Sequence, residues 1–491
     1  SRYHASCQGN CSPRFMRSTM AQLPINPDAH QSCKLPMAVV VQPMACVGPD
    51  EQPVPLVDFG EIGPLRCENC RAYINSYATY GRNGERWVCN FCKHDGAVPQ
   101  PYQCPLDAMG MRRDRLQRSE LCRGSVDFIV PKGVYCLRPE QQPIFVFCVD
   151  VSPRALETGF SQACFQAVGA ALDVVPGGEL ARVGLITFDA SLQVYRFDEE
   201  GAVSQIVVAA DTEGRTTTGK SPCASGAVLR AVADCLETIG GRVFLMTQSP
   251  PNTGAGGINA AREDSSLYGG DKEFRLYQPA TATGGGSKAE NAAAWATAEF
   301  YRLLAKDCAA RQVCVDLMLW SGQGRNREFY DVATLGAVAR VTGGRVTYLR
   351  DEEAGGVETA LNLRDQLEAS LRDHEHAASE TVLKVRCTAG FSCTQRLGPG
   401  VENMPGELEL AVVTPHHSIV CRLEHDGRKL EEGRLVFVQA ALLYTSSSGQ
   451  RRVRCHTLAL PVTGALPSIF RSTDVETVSA VLARQGVSRA L

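Results

Sequence analysis

Two Cys-x-x-Cys pairs, Cys67-Glu68-Asn69-Cys70 and Cys89-Asn90-Phe91-Cys92, stand eighteen residues apart. That is the ligand spacing of a four-cysteine zinc ribbon, in which each pair forms a tight knuckle aiming two sulfurs at one point. The residues between can return as a hairpin, with Gly81 and Asn83-Gly84 as turn material. Four thiolates close a tetrahedral shell and leave no open coordination position, so one Zn2+ held by Cys67, Cys70, Cys89 and Cys92 is structural, not catalytic. The competing reading is four unrelated thiols in a chain that carries 21 cysteines.

Other groups invite chemistry and mostly fail to complete it. Asp150-Val151-Ser152-Pro153-Arg154 follows an apolar run. A von Willebrand A domain places Asp-x-Ser-x-Ser here, at the carboxyl edge of a parallel sheet, to bind a divalent cation. Arg154 replaces the second serine, and its fixed positive charge repels a cation. Gly177-Gly178 lacks the Gly-Lys-Ser/Thr ending of a phosphate loop, and His374-Glu375-His376 lacks the spacing of a zinc protease. His416-His417 follows Pro415 in a turn and reads as a solvated loop. Asp58-Phe59-Gly60 lacks the upstream loops of a kinase. No Gly-x-Ser-x-Gly elbow occurs, and no catalytic constellation assembles, so the chain reads as a non-enzyme. Arg451, Arg452 and Arg454 form the one suggestive basic cluster, a candidate site for acidic peptide motifs or phospholipid headgroups. A solvated strand edge guarded by charge is the alternative.

The elements carrying these groups change character along the chain. At 491 residues, two to four domains are expected. Hydrophobic residues at 44%, charged residues at 21% and a net charge of −3 are those of a globular protein with no global drive toward nucleic acid or anionic membrane. No apolar window approaches eighteen residues and the first residues do not read as a signal peptide, so a reducing, cytosolic compartment is expected and the sequon at Asn10 is idle. Residues 1–34 read as an extended lead-in. Residues 35–60 contribute an apolar strand near Leu35–Val41 and a proline-rich connector, 61–100 the ribbon, and 101–142 a polar connector. From 143 to 376, unbroken apolar runs at Ile144–Val149, Arg182–Phe188, Arg242–Met246, Val313–Trp320 and Arg345–Leu349 alternate with helical segments. Runs without alternation suit strands covered on both faces, hence a doubly wound α/β domain. Residues 201–222 are short and polar where such a sheet would often add a unit, and glycine-rich 249–288 reads as a mobile insert. Residues 377–465 take a strand period and read as an antiparallel β-sandwich or barrel, with a hairpin of Leu435–Thr445 and Arg451–Leu460. Residues 466–491 open a helical domain.

The order of parts, with its wording, resembles the COPII vesicle-coat family, and within it the cargo-adaptor subunit of the Sec twenty-four type. The residues that carry this are Cys67-Glu-Asn-Cys-Arg-Ala-Tyr-Ile-Asn75, Arg86-Trp-Val-Cys-Asn-Phe-Cys92, Phe147-Cys-Val-Asp-Val-Ser152, Gly241-Arg-Val-Phe-Leu245, Asp331-Val-Ala-Thr-Leu335 and Leu442-Leu-Tyr-Thr445. The resemblance implies a zinc ribbon, a von Willebrand A-like trunk, a β-domain completed by the N-terminal strand, and a chain shortened before most of the helical domain and the gelsolin-like domain. It implies a strand and helix between Phe197 and Ala227 that this chain is too short to hold. It also implies a non-enzymatic adaptor that pairs with the GTPase-activating coat subunit and the small GTPase Sar, binds export signals in the cytosolic tails of membrane cargo, and touches acidic membrane at endoplasmic reticulum exit sites. The alternative function is a ribbon-containing nucleic-acid-binding or transcription-related protein, which the net charge and the absence of basic clustering around the ribbon disfavour.

Overall fold

The computed structural model describes residues 9–131, 133, 142–197, 203–209, 221–258, 265–279, 288–321, 329–349, 357–428 and 430–490. Its α/β unit is built on a seven-stranded sheet in the order Val203–Ala209, Ser191–Phe197, Arg182–Phe188, Ile144–Asp150, Gly241–Thr247, Val313–Trp320, Val346–Leu349. The five strands expected from unbroken apolar runs lie parallel. Alternate residues of Ile144–Asp150 feed opposite faces. Phe145, Phe147 and Val149 pack under helices Phe160–Ala171 and Val357–Glu375, while Val146 and Cys148 pack under Ser225–Cys235, Lys288–Ala310 and Ala337–Thr342. Burial on both faces is why these strands show no polar alternation.

Two expectations for this unit need correction. Residues 201–222 do contain a strand, since Val203–Ala209 pairs antiparallel with Ser191–Phe197 and makes the sheet mixed. Its apolar run, Ile206-Val207-Val208-Ala209, is short and set among polar residues, and at the sheet edge Val203 and Ile206 stay exposed; residues 210–220 lie outside the described residues. The start of the glycine-rich insert is not a loose excursion either. Ser249, Asn252 and Thr253 are buried, Asn252 Nδ2 donates to Ser221 O at 2.8 Å, and Tyr301 Oη donates to Gly256 O at 2.9 Å. Short turns follow at Ser265–Leu267 and Glu273–Leu276. Residues 259–264 and 280–287 of the insert lie outside the described residues.

The β-domain is a sandwich of two sheets. One runs Val401–Met404, Glu407–Val413, Ala378–Cys387, Leu435–Thr445, Arg451–Thr463, Ser125–Ile129, Leu56–Val57. The other runs Met16–Ser18, Ala38–Val41, Ile419–His425, Phe391–Leu397. Their inner faces share a core in which Val39, Val41, Ile419, Cys421 and Leu423 meet Leu383, Leu410, Val436, Val438 and Leu460.

The N-terminal lead-in is therefore no lead-in from residue 9 onward. Cys11, Phe15, Met16, Met20 and Leu23 are buried, Met16–Ser18 is a strand, and Asn26 caps helix Pro27–Cys33 through Ala29 N at 2.8 Å. The connector 101–142 likewise contains Ser125–Ile129, a strand paired on both sides. Its central Asp127 disguises it as polar surface. Two helices, Leu466–Arg471 and Val475–Ala490, end the described chain. Among the described residues no helix is long and apolar enough to cross a membrane.

Candidate functional site

The ribbon is a three-stranded sheet of Thr79–Gly81, Arg86–Val88 and Asp95–Ala97 flanked by its two cysteine knuckles. The knuckles repeat one hydrogen-bond pattern. In the first, Arg71 N donates to Cys67 O (3.0 Å) and Cys67 N to Ala72 O (2.9 Å); in the second, Lys93 N donates to Cys89 O (2.8 Å) and Cys89 N to His94 O (2.9 Å). The residue after each second cysteine, Arg71 or Lys93, turns left-handed at φ 61° or 62°, which swings the chain back past its own sulfurs. Gly84 is required at the far turn: φ is +93°, and a Cβ there would sit 1.9 Å from Cys104 O.

These turns bring Cys67, Cys70, Cys89 and Cys92 together with all four sulfurs within 4.8 Å of one another. Cys67 Sγ lies 3.5 Å from Cys92 Sγ, and Cys70 Sγ 3.6 Å from Cys89 Sγ. Zn–S bonds of about 2.3 Å in a tetrahedron set sulfurs about 3.8 Å apart, so the cradle fits Zn2+ with little adjustment. Metal-free, the sulfurs oppose ionisation: burial raises the Cys67 thiol, and contact with the Cys89 sulfur raises Cys70. A divalent cation reverses that sign by stabilising thiolates. Among the described residues the ligand group is these four cysteines, which fill a tetrahedral shell, so the site is structural.

The ribbon is fastened to the β-domain. Tyr73 N donates to Gln439 Oε1 (2.7 Å), Gln439 Nε2 donates to Tyr73 O (3.1 Å), and Phe91 packs on Phe437 with ring centroids 5.9 Å apart. Metal binding thus fixes the position of one end of the sandwich surface.

The other predicted residues fall elsewhere. Asp150 is buried at the carboxyl edge of the parallel sheet, but its carboxylate is taken up by the protein. Oδ1 accepts from Ser152 N (2.9 Å), and Oδ2 accepts from Thr247 Oγ1 (3.0 Å), Gln248 N (3.0 Å) and Ser249 N (3.3 Å). It closes a loop joint; it is not presented to an ion. Of the pair expected in a solvated loop, His416 is an exposed turn residue but His417 is half-buried and its Nδ1 accepts from Thr414 N at 3.0 Å, and His374 is buried edge-on to Phe145.

The Arg451, Arg452, Arg454 cluster requires the largest correction. Strand Arg451–Thr463 is internal, so neither a basic patch at an edge nor a charged edge guard describes it. Arg454 Nη2 lies 2.6 Å from Asp127 Oδ2, which also accepts from Tyr444 Oη at 2.6 Å, with the pair nearly sealed from solvent. Arg451 Nη1 donates to Glu380 O (2.7 Å) and Thr445 Oγ1 (3.1 Å). Arg452 Nε donates to Gln450 Oε1 (2.7 Å). Arg451 and Arg454 thus join neighbouring strands, while half-buried Arg452 holds the turn that precedes its own strand.

A different basic group emerges beside the ribbon. Arg66, next to Cys67, stacks its guanidinium 4.6 Å from the Tyr73 ring centroid, and Arg71 is exposed after Cys70. Arg386, from the sandwich strand, approaches from the other side; burial lowers its pKa first, and the like charge of Arg66 lowers it further. Its Nη1 has no hydrogen-bond partner among the described residues. Arg66 and Arg386 are 320 positions apart, so no local sequence signal could pair them.

Comparison with known proteins covers the same modules. Family models match as the Sec23/Sec24 zinc finger over residues 64–102, the Sec23/Sec24 trunk domain over 140–217 and 215–353, and the Sec23/Sec24 beta-sandwich domain over 378–463. Protein transport protein SEC24 B of Arabidopsis thaliana is 30% identical over 513 residues, covering 98% of this chain and 44% of that protein. Human protein transport protein Sec24C is 31% identical over 519 residues, covering 97% and 45%. The chain spans about half the length of the curated relatives it matches. The crystal structure of the human COPII-coat protein Sec24c superposes with a TM-score of 0.83 at 29% identity, covering 99% of this chain and 67% of that one.

Proposed function

Because this chain belongs to the Sec23/Sec24 family and is a COPII subunit of the Sec24 type, we propose that it works as a non-enzymatic inner-coat adaptor that recognises export signals in the cytosolic tails of membrane cargo. In this reading it pairs with the GTPase-activating coat subunit, meets the small GTPase Sar, and acts from the cytosol at endoplasmic reticulum exit sites. The observation that supports it is the junction of ribbon and sandwich, where Arg66 lies close enough to Arg386 for each charge to feel the other. Two half-buried guanidinium groups, Arg66 and Arg386, are held there with like charges facing each other. Such an arrangement is costly alone and favourable once an acidic group enters, since charge-assisted hydrogen bonds to a carboxylate each contribute about 1.5–3 kcal/mol. The zinc ribbon supplies Arg66 and the sandwich Arg386, so the metal's role is to hold the two in place relative to each other.

The test is binding of fluorescent peptides bearing acidic export signals to the purified chain, with pull-down against the GTPase-activating subunit as a second arm. Arg66→Ala and Arg386→Ala are expected to weaken peptide binding about tenfold or more, the equivalent of one lost charged hydrogen bond each. Binding of neither peptide nor subunit, together with retention of duplex DNA, overturns the reading in favour of a nucleic-acid-binding ribbon protein.

A further inference from the structure

The two most exposed large apolar side chains among the described residues, Met109 and Leu116, belong to one short loop beside the ribbon, each 88% exposed, with Met111 also exposed. Single apolar residues on a surface are ordinary, but two fully displayed ones flanking a basic segment are not explained by folding. The loop is built firmly. Asp107 N donates to Met111 O (2.8 Å) and Gly110 N to Asp107 O (3.0 Å), while Asp107 Oδ1 accepts from both Met109 N and Met111 N at 2.9 Å. Leu106 N donates to Asn83 Oδ1 (3.3 Å), which pins the loop to the ribbon turn Arg82–Gly84. The backbone of this turn is satisfied internally, so a polar residue at 109 would serve the fold equally well.

The charge around these side chains is basic. Arg113 and Arg82 are exposed, Arg115 is half-buried, and among the described residues none of the three forms a salt bridge. The acids nearby are Asp107, occupied in capping the turn, Asp114, taken up between Arg112 and Arg118, and exposed Glu85. Residues 61–118 hold nine Arg or Lys against six Asp or Glu, in a chain whose net charge is −3.

We propose that the loop Leu106–Arg118 is a membrane-docking element that seats Met109 and Leu116 in the headgroup region of an anionic lipid bilayer while Arg113, Arg115 and Arg82 engage the phosphates. The cavity beside the loop, lined by Tyr80, Met111, Arg112 and Arg115, holds only about 40 Å³ and takes in neither Met109 nor Leu116, whereas a bilayer interface parts around apolar side chains and adds roughly 1 kcal/mol per basic residue at an anionic surface. The element does not include Arg66 or Arg386, and it extends the peripheral-membrane part of the functional reading.

The test is flotation of the full chain with vesicles of phosphatidylcholine, with and without phosphatidylserine, at two salt concentrations. The wild-type chain is expected to float with the anionic vesicles at low salt. M109D/L116D is expected to lower that affinity at least about tenfold, and R113E to lower it and flatten its salt dependence. All these side chains are exposed, so zinc content, far-UV circular dichroism and acidic-peptide binding should match wild type. Retained peptide binding separates failure here from failure of the adaptor reading. The proposal is overturned if wild type does not bind anionic vesicles, if M109D/L116D binds them as wild type does, or if that variant loses a coat-protein partner while keeping the vesicles.

Discussion

Arg454→Met separates a structural arginine from a ligand-binding one. In the native chain the Arg454 guanidinium lies 2.6 Å from Asp127 Oδ2, with side-chain exposures of 15% and 3%. Burial opposes the charge on Arg454, yet Asp127 and Tyr444 hold its pKa above the ordinary arginine value. At an effective dielectric of about 20, charges this close attract by about 6 kcal/mol before desolvation is subtracted. Removing one partner of a buried pair leaves the other charge stranded, which costs about 3–5 kcal/mol. The thermal transition of the β-domain, followed by circular dichroism or calorimetry, should fall by roughly 10 °C. D127N/R454M removes the stranded charge while keeping an acceptor for Tyr444 Oη, and should recover most of that loss. An R454M protein that melts like wild type but binds acidic ligands or anionic vesicles less well would refute the reasoning and restore Arg454 to a surface role.

The ribbon should carry about one zinc per chain by mass spectrometry of the metal content, and C67S/C70S should lose it and expose residues 64–102 to limited proteolysis, because ligand binding and local folding are one event; a compact zinc-free ribbon would contradict this. His456 and His374 are buried neutral, their pKa values pushed down to about 3 by burial first and then by the nearby arginines Arg454 and Arg242. Both titrate near 6.5 in the unfolded chain, so unfolding takes up protons between about pH 3 and 6.5, and stability should fall with falling pH by about 1.4 kcal/mol per unit for each histidine. H456Q should show a shallower acid limb in urea titrations at pH 6.5 to 4; an unchanged slope would count against a buried neutral imidazole whose Nε2 donates to Pro43 O at 3.1 Å.

What could be read locally was read from local physics. The four zinc ligands were legible because a metal cradle depends on two short spacings, and the knuckles around Cys67 and Cys89 each close within six residues. The five parallel strands were legible because burial on both faces leaves unbroken apolar runs, as in Ile144–Val149 and Val313–Trp320. The wording of these same segments carried the family. The strands that escaped notice were those whose neighbours hide their character. Val203–Ala209 sits at a sheet edge, Met16–Ser18 is three residues long, and Ser125–Ile129 buries a carboxylate at its centre. Arg454 read as surface because its partner Asp127 is 327 residues away, and pairing across that distance exists only after the sheet has formed. The same holds for Arg66 against Arg386. Local spacing determined the metal and the repeating strands; which charges are neutralised inside and which are left facing one another was decided only by tertiary structure, because a charge's environment is set by residues the chain brings back from afar.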